Sequence, residues 1–212
     1  MRLTVFGATG GIGGHVVRQA LDRGFTVTAV VRDPARLPVT HPALRTMAVP
    51  ALDGSGDLAE IVRGSDAVLS GIGPRGRHDG PVASTATRSI LKAMEFAEVH
   101  RLVVVSAAPV GPAPDGESLL NRRVLFPVIS AVLKDVYADL RVMEDLLAAS
   151  PAEWTAMRPP RLVDKPLTGR YRTAVGANVA RGNTIARADV AHAMLAALDD
   201  PTTNRRPLGV AY

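Results

Sequence analysis

The sequence predicts a single α/β domain over residues 1–212, with a doubly wound parallel sheet and helices on both faces. The main observation is that short apolar runs, which suit buried parallel strands, alternate with segments of helical periodicity. The second observation is composition. The chain has 212 residues, 47% of them hydrophobic and none of them cysteine, which suits one globular domain without disulfides or thiolate metal sites.

The elements follow one another from the N-terminus. Residues 3–6 form a short apolar run typical of a buried strand, and a helix is predicted from the glycines that follow it up to Gly24. A second strand is predicted over residues 26–31, after which Asp33 and Pro34 begin a short turn. Further strands are predicted over residues 46–49, 67–70, 102–105, 154–157, 170–174 and 208–211, and further helices around residues 58–62, 90–96 and 189–198.

Apolar residues keep helical spacing from Leu125 to Leu147, so we expect one long helix or two helices joined near Pro127. The apolar stripe over residues 125–136 is compatible with a cap over a site, a core contact or a dimer interface. The chain is therefore expected to be a monomer or a homodimer.

A glycine motif lies between the first strand and the first helix. Residues 7–14 read Gly-Ala-Thr-Gly-Gly-Ile-Gly-Gly, with Gly7, Gly10 and Gly13 three residues apart. There, backbone N–H groups at the helix N-terminus can face a pyrophosphate, and the missing side chains permit close approach. The alternative is a tight turn without a ligand. The context favours a Rossmann fold, and the predicted cofactor contacts are Gly7, Thr9, Gly10, Gly11, Ile12 and Gly13.

The end of the second strand distinguishes the two nicotinamide dinucleotides, because it meets the adenosine ribose. An acidic residue there would bind the ribose hydroxyls, but this chain has Arg32, with Arg36 one turn further on. Two guanidinium groups can hold a 2′-phosphate through charge-assisted hydrogen bonds. The alternative is a surface pair that Asp33 neutralises. The sequence predicts NADP as the cofactor, with NADPH preferred over NADH.

Several motifs together resemble the atypical short-chain dehydrogenases/reductases with an NAD(P)H-binding (NmrA-like) fold, most closely the biliverdin-IXβ/flavin reductase branch. They are the glycine motif, Val30-Val31-Arg32-Asp33, Gly71-Ile72-Gly73, Val103-Val104-Val105-Ser106-Ala107, and Arg158-Pro159-Pro160-Arg161-Leu162 with Pro166-Leu167-Thr168-Gly169-Arg170-Tyr171. The resemblance implies that Gly71, Ile72 and Gly73 line the adenosine and ribose. It also implies that Ser106, Pro159, Pro160 and Arg161 surround the nicotinamide.

The chain departs from this family at three positions. Ala107 replaces a second hydroxyl that often follows Ser106, and Arg161 stands where the flavin reductases carry a histidine. Ala51 replaces a common aspartate, which leaves Asp53 as a substitute adenine contact. These changes affect the expected substrate chemistry and leave intact the glycine motif of residues 7–14, which is the expected phosphate loop.

The predicted helical stretch from Leu125 to Leu147 offers two further candidates. Tyr137-x-x-x-Arg141 is the nearest pattern to the Tyr-x-x-x-Lys pair of many short-chain dehydrogenases, so Tyr137 is a candidate catalytic acid, with an ordinary amphipathic tyrosine as the alternative. Asp135 and Asp139 lie one turn apart, but their charged neighbours favour a solvated, salt-bridged helix face over a metal pair. Those neighbours are Lys134, Arg141, Glu144 and Asp145.

Other ligand classes are not predicted. The five histidines share no metal-ligand spacing, so no metal is expected. The net charge of +5 comes mainly from 22 scattered arginines without interleaved aromatics, which fits small anions better than nucleic acid. Arg75, behind the fourth strand, could reach a phosphate or lie in a solvated loop. No stretch is long enough to span a membrane and no secretory signal is visible, so a cytoplasmic location is expected.

These observations predict an NADPH-dependent reductase that transfers a hydride to a small planar acceptor such as a flavin, a quinone or a tetrapyrrole-like molecule. The C-terminal half would form the substrate pocket, with Ser106, Arg161 and Tyr137 as candidate catalytic residues. The alternative is a non-catalytic NADP-binding sensor of NmrA-like type. A nucleic-acid-associated protein is the third and least favoured interpretation.

Overall fold

The computed structural model describes residues 1–52, 58–74, 76, 79–112 and 133–212. The ten strands within these residues are β1 (Arg2–Phe6), β2 (Thr26–Val31), β3 (Leu44–Ala48), β4 (Ala67–Ser70), β5 (Arg101–Val105), β6 (Glu153–Arg158), β7 (Arg161–Val163), β8 (Arg172–Val175), β9 (Thr184–Ala186) and β10 (Arg206–Ala211). The five α-helices within the same residues are α1 (Gly11–Asp22), α2 (Leu58–Val62), α3 (Val82–Phe96), α4 (Lys134–Ala149) and α5 (Arg187–Ala196). The predicted helical stretch over residues 125–132 lies outside the described residues.

Eight strands form the central sheet in the order β3-β2-β1-β4-β5-β6-β10-β8. All neighbours are parallel except β10 and β8, which are antiparallel. β7 and β9 form a separate parallel pair. The chain winds outward from β1 in both directions, so the strand order reverses between β1 and β4. In open parallel sheets the crevice at such a reversal is where ligands bind.

The helices cover both faces of the sheet, as the predicted fold class requires. α1 and α5 pack on one face, around a core that includes Val17, Leu69 and Met194. α2, α3 and α4 pack on the other, around Phe6, Ile90 and Met143. Strands β1, β4 and β5 are buried on both faces, which explains why they read as continuous apolar runs rather than as alternating patterns.

Apart from shifts of one or two residues at the ends of several strands and helices, the observed elements differ from the predicted ones in two respects. Helix α3 begins at Val82, well before residue 90, because its first two turns bury small residues such as Ala83, Ala86 and Thr87 that produce a weak hydrophobic signal. The short strands β7 and β9, of three residues each, were not predicted. Within the described part of the chain, no helix is long and apolar enough to cross a membrane.

Candidate functional site

A cleft of about 880 Å³ opens at the point where the strand order reverses. Its floor is formed by the carboxyl ends of β1, β2, β4 and β5, with α1 and α3 beside it. Of the predicted cofactor contacts, the cleft is lined by Gly7, Thr9, Gly10, Gly11, Ile12, Arg32, Gly71, Ile72, Gly73 and Ser106. The structure therefore brings the glycine motif, the end of β2 and the end of β5 to one surface.

Three glycines from two segments are in contact at the base of the cleft. A Cβ on Gly13 would lie 2.2 Å from the backbone oxygen of Gly7, and a Cβ on Gly71 would lie 3.0 Å from the backbone nitrogen of Gly13. Gly7 also has a φ of +70°, a conformation that L side chains rarely adopt. Gly13 itself does not line the cleft. Its absent side chain lets α1 approach the ends of β1 and β4, which places the helix N-terminus against the cleft.

The N-terminus of α1 is suited to an anion. Gly10 is its N-cap and supplies no side-chain oxygen, and the first turn contains no acidic residue. The first amide groups of a helix have no intrahelical partner, and they carry the positive end of the helix dipole. Gly11 and Ile12, the first helical residues, both line the cleft. A diphosphate would satisfy these amides, so the residues present fit a dinucleotide.

Arg32 lines the end of this cleft that is formed by β2, directly after that strand. Its side chain is exposed and has no hydrogen bond or ion pair with any residue in the described part of the chain. Asp33 is engaged elsewhere, because its Oδ1 accepts a hydrogen bond of 3.0 Å from the amide of Ala35 and caps the turn Pro34–Arg36. Arg36 is exposed and does not line the cleft.

Arg187, which sequence reasoning missed, lies beside the phosphate loop. It begins α5, lines the cleft, and its Cδ would lie 2.7 Å from a Cβ on Gly11. Its Nη1 donates to Oδ1 of the exposed Asp164 at 2.7 Å. The cleft thus has, besides Arg32, the guanidinium group of Arg187, which lies beside the N-terminus of α1. Arg187 is 176 positions from Gly11 in the chain, so no local pattern could have indicated it.

At the other end of the cleft, Ser106 belongs to a network of three side chains. Its Oγ donates a hydrogen bond of 2.6 Å to Oε1 of Glu144 on α4. Arg158, at the end of β6, binds the same carboxylate in a bidentate manner: Nε donates to Oε1 at 3.0 Å, and Nη2 donates to Oε2. The expectation that Glu144 lies on a solvated helix face is therefore wrong. Its side chain is 13% exposed, and it connects α4 to the cleft.

Asp139 also departs from the solvated face that its charged neighbours suggested. It is buried, and its two oxygens accept hydrogen bonds from the amides of Ala83 and Ser84 at 2.8 and 3.1 Å. These amides belong to the first turn of α3, which has no capping side chain of its own. Asp139 thus caps a neighbouring helix, while Asp135, one turn earlier, is exposed.

The remaining predicted site residues lie elsewhere. Tyr137 is buried in the core between α3 and α4, and burial raises the pKa of its hydroxyl. Arg161 is exposed on β7, whereas its neighbour Leu162 lines the cleft. Pro159 and Pro160 are not among the lining residues; the Pro159 carbonyl accepts from the amide of Ala108 at 2.9 Å. Asp53 and Arg75 lie outside the described residues.

The segment over residues 166–171, which carries part of the family resemblance, is held by one buried carboxylate. Asp189 accepts four hydrogen bonds: from the amides of Thr168 and Gly169, and from the hydroxyls of Thr168 and Tyr212. Burial alone would raise the pKa of Asp189, but the bonds from Tyr212, Gly169 and Thr168 together hold it below the usual value. This part of the motif has a structural role.

The sequence comparisons agree with the geometry of the cleft. Residues 7–201 match the model of a family described as NAD(P)H-binding. The chain belongs to this family. One relative is an uncharacterized chloroplastic protein of Arabidopsis thaliana, 31% identical over 176 residues, which are 79% of this chain and 61% of that protein. Another is the uncharacterized protein YwnB of Bacillus subtilis, 29% identical over 95% of this chain and 93% of its own. This chain thus spans less than two thirds of the Arabidopsis protein.

Solved structures show the same fold in other members of this structural class. A short-chain dehydrogenase/reductase of Veillonella parvula, in complex with NADP, superposes with a TM-score of 0.81 at 20% identity, over 100% of this chain and 94% of its own. A Streptococcus pneumoniae protein described provisionally as an NADH-flavin reductase superposes with a TM-score of 0.80 at 22% identity, over 100% and 99% of the two chains. These matches confirm the predicted Rossmann fold.

Proposed function

We propose that this protein is an NADPH-dependent oxidoreductase that transfers a hydride to a small planar acceptor, such as a flavin, a quinone or a tetrapyrrole-like molecule. The observation that carries the proposal is the cleft between β1 and β4, where an uncapped helix N-terminus lies between Arg32 and Ser106. When bound, the reduced nicotinamide would supply the hydride. The family membership and the NADP complex of a structural neighbour support this choice of cofactor.

The chain's own residues would bind and orient the cofactor. The amides of Gly11 and Ile12 would face the diphosphate together with Arg187, and the unpaired Arg32 would face a 2′-phosphate at the adenosine end. Asp33, which would favour NADH if it bound the ribose hydroxyls, already caps a turn. The phosphate-bearing cofactor is therefore the better fit to the end of β2.

The other end of the cleft favours acceptors that need no proton from the protein. The titratable side chains that line its described part are Arg32, Asp79 and Arg187, and Tyr137 lies in the core. Ser106 already donates its only hydroxyl proton to Glu144. An alkoxide formed from a simple ketone would have few proton donors there, whereas a reduced flavin or quinone can take its proton from water.

The proposal is tested by following the oxidation of NADPH and NADH in the presence of flavins, quinones, linear tetrapyrroles and aliphatic ketones. We expect NADPH-dependent reduction of at least one planar acceptor and slow or absent reduction of the ketones. NADPH binding without turnover of any acceptor would favour the alternative, a non-catalytic NADP-binding sensor. That alternative is supported by the same scarcity of proton donors, together with Ala107 beside Ser106.

A further inference from the structure

The network behind the nicotinamide end of the cleft determines which way the Ser106 hydroxyl points. The carboxylate of Glu144 accepts hydrogen bonds from Nε and Nη2 of Arg158, and its oxygens act only as hydrogen-bond acceptors. The Ser106 Oγ lies 2.6 Å from one of these oxygens, and the hydroxyl must therefore be the donor of that bond. Arg158 and Glu144 have side chains only 10% and 13% exposed, so water has little access to this arrangement.

A serine hydroxyl has one proton and two lone pairs. Because the proton of Ser106 is committed to Glu144, Ser106 can offer the cleft only a lone pair. No other hydrogen bond to Oγ of Ser106 is formed within the described part of the chain, so no described residue uses this lone pair. A carbonyl oxygen placed against it would meet another acceptor and would be repelled.

The position of Ser106 indicates what reaches this lone pair. Arg32 follows β2 and Ser106 follows β5, three strand positions away in the sheet order. At about 4.8 Å per strand, these two ends of the cleft are roughly 14 Å apart. A dinucleotide anchored at Arg32 and at the α1 N-terminus therefore has its nicotinamide end, and the acceptor stacked on it, beside Ser106. This step rests on the proposed function.

We propose that Glu144 makes Ser106 an obligate hydrogen-bond acceptor and that the site thereby selects a bound ring with an amide-type N–H donor at its edge. Two sources of that donor are available: the carboxamide NH₂ of the nicotinamide, and the imide or pyrrole N–H of a flavin or tetrapyrrole acceptor. Glu144 and Arg158 are positioning residues in this arrangement, because they act on the ligand only through Ser106. Where the acceptor rather than the nicotinamide supplies the donor, quinones and ketones are disfavoured, because their edges carry carbonyl oxygens alone.

The test compares ligand pairs that differ only in this donor. In the cofactor arm, binding of NADP⁺ is compared by calorimetry with binding of its 3-acetylpyridine analogue, in which a methyl group replaces the carboxamide NH₂. In the acceptor arm, kcat/KM for riboflavin is compared with that for N3-methylriboflavin. The wild-type protein should prefer the donor-bearing ligand about three- to tenfold in one of the arms, which is the effect of one neutral hydrogen bond.

Two variants connect that preference to the network. Ser106→Ala should abolish it, because no lone pair remains at this point. Glu144→Gln should reduce it nearly as far, because the new amide NH₂ can donate to Ser106 and release the hydroxyl proton toward the cleft. Asp145→Asn, an exposed carboxylate one position further along α4, is the matched control and should leave the preference unchanged. Melting curves would establish that each variant is folded.

The experiment distinguishes failure of this inference from failure of the proposed function. If the wild-type protein binds NADP⁺ and reduces flavin but shows no preference between the paired ligands in either arm, the inference is wrong and the proposed function stands. A preference that persists at full size in Ser106→Ala would also overturn the inference. Failure to bind NADP⁺ at all would instead contradict the proposed function. The wild-type comparison needs no substitution, so instability of Glu144→Gln does not remove the test.

Discussion

The two halves of this domain, residues 1–100 and residues 101–212, are held together by different means. In the first half, the elements that form the cleft meet through backbone, with Gly7, Gly13 and Gly71 in direct contact. In the second half they meet through buried charge. The buried charged residues in the described part of the chain are Arg101, Asp139, Arg158 and Asp189, and all of them follow residue 100.

Each of these charged groups connects elements that are distant in the sequence. The Arg101 guanidinium donates to the carbonyls of Glu153 and Ala197 and so joins β5 to the end of α5. Asp139 joins α4 to α3, and Arg158 joins β6 to α4 through Glu144. Buried charges of this kind stabilise a fold only while their partners are present, and removal of one partner is costly. The two halves should therefore respond differently to substitution.

The largest loss of stability is expected at Gly13, where the packing of the first half leaves no room for a side chain. Gly13→Ala should reduce the free energy of unfolding by about 3 kcal/mol, because the new Cβ would meet the Gly7 carbonyl and the backbone must move. Chemical denaturation would measure it. Gly14→Ala is the matched control, since its Cβ would meet the Ala8 oxygen at an ordinary 3.4 Å. Alanine favours the helix, so this control should be neutral or slightly stabilising. Equal stability of the two variants would refute the close-packing argument.

In the second half, Asp189→Asn should cost about 2 kcal/mol at neutral pH, because an amide cannot accept four hydrogen bonds as a carboxylate does. The folded-state pKa of Asp189 lies below its unfolded value. The stabilisation by the wild-type carboxylate is thus complete above the unfolded pKa of about 3.9 and is lost as the pH falls through the folded value.

This pH dependence can be measured by denaturation of both proteins between about pH 7 and pH 3. The stability difference between wild type and Asp189→Asn should be constant down to about pH 5 and should shrink below about pH 4. A difference that grows as the pH falls would mean that the carboxylate is not held in its charged form by Tyr212, Gly169 and Thr168.

Among the described residues, each half contributes one arginine to the cleft, and the two arginines should differ in their effect on NADPH and NADH. Arg32→Ala should weaken NADPH binding about 10- to 100-fold and affect NADH little, because in the proposed complex Arg32 would contact the 2′-phosphate, which NADH lacks. Arg187→Ala should weaken both cofactors about three- to tenfold, because the diphosphate is common to them. Calorimetry with both cofactors measures the contrast. Equal affinities of the parent protein for NADPH and NADH would show that Arg32 does not bind a phosphate.

The smallest change, here in catalytic efficiency, is expected from substitution of Tyr137. Its side chain is buried in the core and forms no hydrogen bond with any residue that the structure describes, and burial raises the pKa of its hydroxyl. A general acid works best with a pKa near the working pH, so this tyrosine is poorly suited to proton transfer. Tyr137→Phe should therefore change kcat/KM for planar acceptors by less than about twofold. Rapid ketone reduction that this substitution abolishes would restore Tyr137 as the catalytic acid.

Much of the first half could be predicted from the sequence because its signals are local. The glycine spacing, the apolar runs over residues 3–6 and 67–70, and the position of Arg32 after the second strand all follow from a few neighbouring residues. The placement of Gly71 beside Gly13 goes beyond such signals, since it depends on the pairing of β1 with β4.

By itself the sequence determined the class of the fold and the place where a dinucleotide would bind, because strand periodicity and backbone freedom are properties of short segments. Only the tertiary structure decided that Glu144 and Asp139 are not solvated, that Arg187 faces the phosphate loop, and that Tyr137 lies in the core. Whether a charged side chain on a helix meets water or a buried partner depends on which elements pack against it. That packing is set by strand order and helix position. A pattern of charges along one helix gives no information about either of them.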